Sequence, residues 1–136
     1  MNEISEMQIP KTHFVRSPAY LQFVRSLPCV ICKTTYGIEA AHVRFFSECG
    51  KSLKPGDNFT VPLCGFNSNT GEIGGHHREQ TNWAAGEECW WEVRGSKLPH
   101  PKVITETLWG IYNKRTFDKP QKWDTADKYI RGLGIG

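Results

Sequence analysis

Residues 29–32, CVIC, are the stretch that decides the fold of this 136-residue chain. The pair Cys29 and Cys32 has the Cys-x-x-Cys spacing, which places two thiolates on one tight turn, within reach of a single tetrahedral zinc at about 2.3 Å. Zinc then needs two further ligands, and Cys64 and His76 stand where a short strand is expected to end and a helix to begin. Because soft thiolates and an imidazole suit zinc better than magnesium, we predict a structural zinc that joins these segments.

Other interpretations of the cysteines remain open at the level of sequence. A Cys-x-x-Cys pair can be a thioredoxin-like redox site, or the cysteines can be scattered buried residues, but no βαβ pattern surrounds residues 29–32. The chain has five cysteines, an odd number that disfavours a closed disulfide framework. Cys49 lies in a predicted loop and is an alternative zinc ligand, whereas Cys89 is expected to be a small core residue.

The composition indicates a single soluble domain. Hydrophobic residues make up 38% of the chain and aromatic residues 12%, which excludes intrinsic disorder, a class with few aromatics. No apolar run approaches the roughly 18 residues of a membrane span, and the N-terminus lacks the apolar core of a signal peptide. We therefore expect no membrane association and a cytoplasmic location in a bacterial or phage-infected cell.

The charge is unevenly distributed along the chain. Residues 29–93 carry 5 basic and 8 acidic residues, whereas residues 94–136 carry 9 basic and 4 acidic residues. We divide the chain into a flexible arm at 1–17, a zinc-containing domain at 18–115 and a basic C-terminal tail at 116–136. The lysine-rich tail is either a solvated surface or a contact with the phosphate backbone of DNA.

The pattern of apolar residues and turn formers predicts an α+β fold. Ser17 and Pro18 mark a helix start, with Ser at the N-cap and Pro at the first helical position, and Pro28 marks its end. Glycine and asparagine predict a loop at 47–58 and an irregular segment at 65–75. The remaining predicted elements are strands at 38–45 and 59–63, helices at 76–92 and 102–115, and no assigned element at 116–136.

The histidines suggest a second site beside the zinc. His42 lies in the first predicted strand, and His77 directly follows His76. The zinc fixes both segments, so we expect His42 and His77 to lie near each other. Neighbouring residues on a helix point about 100° apart, so one of His76 and His77 should face the cysteines and the other should face His42.

The tryptophan pair Trp90-Trp91 has two interpretations. Core packing in a small domain is the favoured one, and stacking on unpaired bases is the other.

The ordered motifs resemble those of one nuclease superfamily. They are PAYLQFVRSLPCVIC at 18–32, AAHVRFF at 40–46, KPGDNFTVPLC at 54–64, HHRE at 76–79 and GEECWW at 86–91. Together, over about residues 18–95, they resemble the HNH, or ββα-metal, nucleases. Within that superfamily the chain is most similar to small phage and prophage HNH endonucleases, including the recombination-enhancing Ref type.

The resemblance implies a zinc-stapled ββα-metal motif with flanking helices, wrapped around one catalytic divalent metal, Mg²⁺ or Mn²⁺. His42 matches the general base, and Asp57 or Asn58 matches the residue that orients it. His77 matches the metal-binding histidine of the helix. The imidazole group suits proton abstraction from water because its pKa is near ~6.5. Arg78, next to His77, is the residue we expect to steady the phosphate in the transition state.

These expectations define two candidate functions. The first is a metal-dependent DNA endonuclease or nickase that hydrolyses phosphodiester bonds in phage or prophage recombination or DNA processing. The alternative is a catalytically silent zinc module that binds DNA or a recombination protein. A purely structural phage component is a third class, which the pairing of His42 with His77 disfavours.

Overall fold

Two antiparallel strands lie at the centre of the computed structural model, which describes residues 15–46, 55–67, 72–73 and 75–134. Strand β1 (Ile38–His42) pairs with β2 (Thr60–Cys64), with Ile38 opposite Cys64 and His42 opposite Thr60. The hairpin therefore places Cys64 at one end and His42 at the other. The predicted strands at 38–45 and 59–63 are close to these bounds, but the first ends three residues earlier.

The other described elements surround this hairpin and make the fold α+β. They are helix α1 (Pro18–Arg25), a 3₁₀ turn (Asp57–Phe59), strands β3 (Phe66–Asn67) and β4 (Glu72–Ile73), and helices α2 (Gly75–Asn82), α3 (Glu87–Arg94), α4 (Pro101–Tyr112) and α5 (Lys119–Gly132).

Helix α1 begins as its sequence predicts. The Ser17 hydroxyl accepts a hydrogen bond from the Tyr20 N–H, and Pro18 occupies the first helical position. The inner face of the helix buries Tyr20, Phe23 and Val24. Residues 15–17, which we expected in a flexible arm, bond to the 3₁₀ turn: the Asp57 N–H donates to the Val15 carbonyl at 2.8 Å. Residues 1–14 of that arm lie outside the described residues.

The prediction of one helix over 76–92 is wrong, because two helices occupy this range. The break falls at residues 83–86, where Gly86 has a φ of +97°, a conformation that L side chains rarely adopt. The Gly86 N–H donates to the Trp83 carbonyl in a turn, and α3 then starts at Glu87. The apolar periodicity around the tryptophans did not reveal this turn.

The segment 65–75, predicted to be irregular, contains a short antiparallel pair. Strand β3 pairs with β4, with Phe66 opposite Ile73 and Asn67 opposite Glu72. This ribbon connects Cys64 to α2. Residues 68–71 and 74 lie outside the described residues, as does 47–54 of the predicted loop at 47–58.

Helix α5 occupies most of the range 116–136, which we set apart from sequence as a basic tail with no assigned element. Its N-terminus has a capping box, in which the Asp118 carboxylate accepts from the Gln121 N–H and the Gln121 side chain accepts from the Asp118 N–H. Ala126 and Ile130 are buried, so the basic segment is a packed helix that completes the core.

A single apolar core joins the central hairpin to α1, α3, α4 and α5, whereas α2 adds no buried hydrophobic residue to it. Trp90 and Trp91 are both buried in it, which favours the core-packing interpretation of this pair over base stacking. None of the helices in the described ranges is long and apolar enough to cross a membrane. The buried hydrophobic residues are Tyr20, Phe23, Val24, Leu27, Cys29, Val30, Ala41, Val43, Val61, Leu63, Trp90, Trp91, Ile104, Leu108, Ala126, Ile130 and Leu133.

The capping box of α5 gives a stability prediction. Asp118→Ala leaves the Gln121 N–H without its acceptor, so the free energy of unfolding should fall by about 1 kcal/mol in urea denaturation. Asp124→Ala is the control on the same helix, because it removes only an exposed pair with Lys128 and should cost a few tenths of that. Equal losses for the two variants would contradict the capping role.

Candidate metal centre and histidine pocket

Four side chains converge at one end of the hairpin. The ligand atoms of Cys29, Cys32, Cys64 and His76 all lie within 4.8 Å of one another. The sulfurs of Cys32 and Cys64 are 3.8 Å apart, and the His76 Nδ1 atom lies 3.3 Å from the Cys64 sulfur and 3.6 Å from the Cys29 sulfur. Residues from three separate parts of the chain therefore meet around one point.

These separations fit a tetrahedral zinc. With Zn–S near 2.3 Å and Zn–N near 2.0 Å, a tetrahedron has sulfur–sulfur edges of about 3.8 Å and sulfur–nitrogen edges of about 3.5 Å. The observed edges of 3.3, 3.6 and 3.8 Å match those lengths. Three thiolates and one imidazole are also the ligand set of structural zinc sites. The cluster can therefore hold a metal such as zinc.

The turn carrying Cys29 and Cys32 is held by backbone hydrogen bonds. The Lys33 N–H donates to the Cys29 carbonyl, and the Cys29 N–H donates to the Thr34 carbonyl, both at 2.9 Å. Lys33 has a φ of +63°, the one positive φ at a non-glycine residue in the described part of the chain. The Val30 N–H donates to the Pro62 carbonyl of β2, so the turn lies against the strand that ends at Cys64.

His76 reaches the cysteines because glycine precedes it. Gly75 has a φ of +73°, and a Cβ atom there would lie 2.5 Å from the Cys64 carbonyl oxygen. Only glycine allows the backbone to pass this close. The His76 N–H then points at the Cys64 sulfur, 3.4 Å away. Thus α2 begins at the cluster of three cysteines and His76, and the ribbon between Cys64 and α2 brings the chain back to that cluster.

The protein environment disfavours an isolated thiolate at this site. Burial is the main reason that the pKa of Cys64 is raised to about 12; the His76 N–H opposes this effect, and the neighbouring sulfurs of Cys29 and Cys32 add to it. Burial also lowers the pKa of Lys33, against the attraction of the same two sulfurs. A bound cation would lower the pKa of these thiols, because its charge stabilises their deprotonated form.

His42 is paired with a buried carboxylate. Its Nε2–H donates to the Asp57 Oδ1 at 3.1 Å, and Asp57 is 3% exposed. The other oxygen of Asp57 accepts from the Ser17 N–H at 2.8 Å. Asp57 therefore ties the start of α1 to the end of β1. Of the two candidate orienting residues, Asp57 makes the contact with His42, whereas the Asn58 Oδ1 atom is buried without a hydrogen-bond partner in the described structure.

His77 is paired with a carboxylate that the sequence analysis did not identify. Its Nδ1–H donates to the Glu39 Oε1 at 2.7 Å. Glu39 lies on β1, and its side chain passes over Gly65, where a Cβ atom would lie 1.8 Å from the same oxygen. His76 faces the cysteines and His77 faces β1, as the helical angle between neighbours requires. Glu39 is the one acidic residue of β1, but the sequence does not show which donor it contacts.

His42 and His77 line one pocket of about 420 Å³, together with Ala40, Arg44, Gln80, Thr81, Trp83, Gly86 and Glu87. The two histidines therefore share the lining of one pocket. Arg78 is exposed and is absent from the lining, whereas Arg44 contributes to it. The reason is that consecutive helical residues diverge, so Arg78 cannot share the direction of His77. Cys49 lies outside the described residues, and Cys89 is a half-buried free thiol on α3.

Glu87 closes one side of this pocket. Its Oε1 atom accepts from the N–H groups of Arg44 and Phe45, each at 2.9 Å, and its Oε2 atom accepts from the Gln80 side chain. Burial raises the pKa of Glu87, while the two backbone N–H groups oppose that effect. These bonds join the chain after β1 to α2 and α3. This role was not predicted, because the turn before Glu87 was not recognised in the sequence.

A second carboxylate holds α2 against α3. Glu79 accepts two hydrogen bonds from the Arg94 guanidinium, at 2.8 and 2.9 Å, and one from the Trp90 indole N–H. The hydrogen bonds from Arg94 are the main reason that the pKa of Glu79 falls to about 2. This pairing fixes the orientation of the helix that carries both His76 and His77.

Comparisons with known proteins give one family. The family model described as "Protein of unknown function (DUF968)" matches residues 3–87, more than half of the chain. No curated protein and no solved structure matches the chain.

The two adjacent histidines should have separable roles. His76→Ala removes one of the four side chains that can hold zinc, so the purified variant should lose its zinc and melt at a clearly lower temperature. His77→Ala is the matched variant: it should keep zinc at the level of the unaltered protein and remain folded. Zinc is measured by mass spectrometry of the purified protein. Loss of zinc in His77→Ala but not in His76→Ala would reverse the two assignments.

The Glu79–Arg94 contact predicts a pH-dependent stability. Because the folded-state pKa of Glu79 lies near 2, below the ordinary value of 4.5, its contribution is complete above pH 4.5 and disappears as the pH falls toward 2. Glu79→Gln should therefore melt below the unaltered protein at pH 7, and the two melting temperatures should converge in acid. Glu92→Gln, an exposed acid on α3, is the control and should show no such convergence. A gap that is constant with pH would exclude this contact as its source.

Proposed function

The chain belongs to the DUF968 family, and we propose that it is a metal-dependent DNA endonuclease or nickase of the ββα-metal type. In this proposal β1, β2 and α2 are the ββα unit, and the Cys₃His cluster holds structural zinc. The observation that carries the proposal is the shared pocket in which His42, backed by Asp57, faces the same space as His77, backed by Glu39.

His42 has the contacts expected of a general base. With its Nε2–H donating to Asp57, the imidazole accepts a proton at Nδ1, so the carboxylate selects the tautomer that can take a proton from water. Asp57 also stabilises the imidazolium that forms. Because Asp57 is buried and held by the Ser17 N–H, its position relative to His42 is fixed before substrate arrives.

His77 has the contacts expected of a metal ligand. The hydrogen bond from Nδ1–H to Glu39 leaves Nε2 as the ligating nitrogen, and a carboxylate in this position both fixes the ring and raises its basicity. When bound there, Mg²⁺ or Mn²⁺ supplies positive charge that stabilises the phosphate and the leaving oxygen. Arg44, which lines the pocket, supplies a further cation for the phosphate; it takes the role that we expected of Arg78 from sequence.

Zinc in the Cys₃His cluster positions these groups and takes no part in the reaction. It joins the Cys29–Cys32 turn to the end of β2 and the start of α2, so His77 follows a ligand directly. DNA is the substrate we propose, bound through its phosphates, in phage or prophage recombination or DNA processing. The basic C-terminal segment, including α5, contributes positive charge for that contact.

A specific observation also favours the alternative, a catalytically silent zinc module that binds DNA or a recombination protein. Ala41, the residue before His42, is fully buried and offers no metal ligand. The described carboxylate in the pocket, Glu87, already accepts three hydrogen bonds. In the endonuclease, His77 would therefore be the described side chain that holds the divalent metal, with water and phosphate oxygens as the other ligands. Cleavage separates the two candidates.

Nicking of supercoiled plasmid tests the proposal. The purified protein should nick DNA only when Mg²⁺ or Mn²⁺ is added, and the rate should rise with pH until the imidazole of His42 is deprotonated. His42→Ala should lose ~10²-fold or more of the rate, the usual contribution of a positioned base, and should retain zinc. Thr81→Ala is the control, because it alters the lining of the same pocket but removes only a hydroxyl that donates to the His77 backbone carbonyl, and it should cut like the unaltered protein.

Two outcomes contradict the endonuclease. If His42→Ala nicks DNA at the same rate as the unaltered protein, His42 is not the base. If the zinc-loaded protein binds DNA but does not cleave plasmid with either ion, the silent zinc module is the correct function.

A further inference from the structure

A groove between α1 and α5 lies outside the pocket of His42 and His77. It has a volume of about 560 Å³. Its lining consists of small and polar residues from α1 and of aromatic and basic residues from α4 and α5: Ala19, Gln22, Ser26, Tyr112, Lys119, Lys122 and Trp123. None of these is shared with the pocket of His42 and His77.

Two aromatic rings of the groove pack against core rings and are each covered by a lysine. The Lys119 ammonium lies 5.5 Å from the centroid of the Trp123 ring, and the Lys122 ammonium lies 5.4 Å from that of Tyr112. Trp123 packs at right angles to Phe23 in the core, with the centroids 4.7 Å apart. Trp123 is therefore packed against the core, whereas the lysine contacts above the rings are weak at exposed sites.

The groove also keeps its positive charge. Within the described residues, Lys114, Arg115, Lys119 and Lys122 form no ion pair, and no carboxylate lines the groove. The other cations of α5 differ: Lys128 pairs with Asp124, and Arg131 pairs with Asp127.

Asp118, the acid nearest these lysines in sequence, is held as the helix cap by the Gln121 N–H. The groove thus combines aromatic rings with cations that are available to an anionic ligand.

We propose that this groove binds single-stranded nucleic acid. A base stacks on the ring of Trp123 or Tyr112, and the displaced lysine moves to a neighbouring phosphate. Aromatic rings interleaved with cations are the composition of such sites, because every base has a stacking face and every linkage has a charge. An acidic peptide would satisfy the lysines but would not use the rings, and a duplex keeps its base faces stacked. The proposal goes beyond cleavage, because the groove shares no residue with the histidine pocket.

The charge of the site is tested with two matched double variants. The probe is fluorescein-labelled oligothymidylate of about 16 nucleotides, an upper site size for single-strand modules, bound to the full zinc-loaded chain without added divalent ions. Fluorescence anisotropy at several salt concentrations gives the affinity and its salt dependence. Lys119→Gln with Lys122→Gln removes two groove cations. Lys128→Gln with Arg131→Gln removes the same charge from the same helix outside the groove.

The groove variant should bind at least about tenfold more weakly than the control variant. Its slope of log affinity against log salt should be shallower by about 1.4, because each lysine that neutralises a phosphate of a single strand contributes about 0.7 to that slope. Both variants carry substitutions on the helix surface, and circular dichroism should show both folded. Equal affinities and equal slopes for the two variants would overturn the proposal.

The stacking contribution is tested separately. Trp123→Leu keeps an apolar contact with Phe23 but removes the ring, so affinity should fall about tenfold with the salt slope unchanged. A measurement on the unaltered protein covers the case in which this variant does not fold. An abasic deoxyribose-phosphate oligomer of the same length has the phosphates without the bases and should bind markedly more weakly than oligothymidylate.

Three results would contradict a single-strand site. The first is equal affinity for the abasic oligomer and oligothymidylate. The second is equal affinity for oligothymidylate and the duplex of the same length. The third is competition by polyglutamate as effective as that by unlabelled oligothymidylate, which would assign the groove to an acidic partner. Plasmid nicking remains a separate measurement, because the groove residues lie outside the histidine pocket.

Discussion

The convergence of three thiols and one imidazole at the end of the hairpin is the constraint on which the site depends. Cys29 and Cys32 come from a turn, Cys64 from the end of β2, and His76 from the first turn of α2. The segments between them are short strands and connecting loops. A metal is well suited to hold such segments, because its binding free energy becomes folding free energy.

From this cluster the position of the second site follows by helix geometry. Since His76 is committed to the cysteines, His77 must point about 100° away, and that direction leads to β1 and Glu39. His42, on the same strand, is held by Asp57, which is itself fixed by the start of α1. Two imidazoles, each backed by a carboxylate, therefore face one pocket, and the four cluster residues are not among the residues that line it.

Site residues whose chemistry is local could be predicted from the sequence, whereas contacts that require pairing across the fold could not. The four cluster residues could be predicted because ligand type and Cys-x-x-Cys spacing are specific. Glu39 and Glu87 could not, since a single acid in a sequence does not identify the donor it will meet. The break between α2 and α3 was missed because Gly86 lies within an apolar helical pattern. Helix α5 was missed because its apolar residues are few, although its Asp118–Gln121 capping box was visible.

X-ray absorption at the zinc edge of the purified protein tests the central claim most directly. Three thiolates and one imidazole predict a first shell of about three sulfurs at ~2.3 Å and one nitrogen at ~2.0 Å. The His76→Ala protein, where it retains any metal, should lack the nitrogen contribution. A first shell of oxygen and nitrogen alone, or folded protein that contains no zinc, would contradict the account.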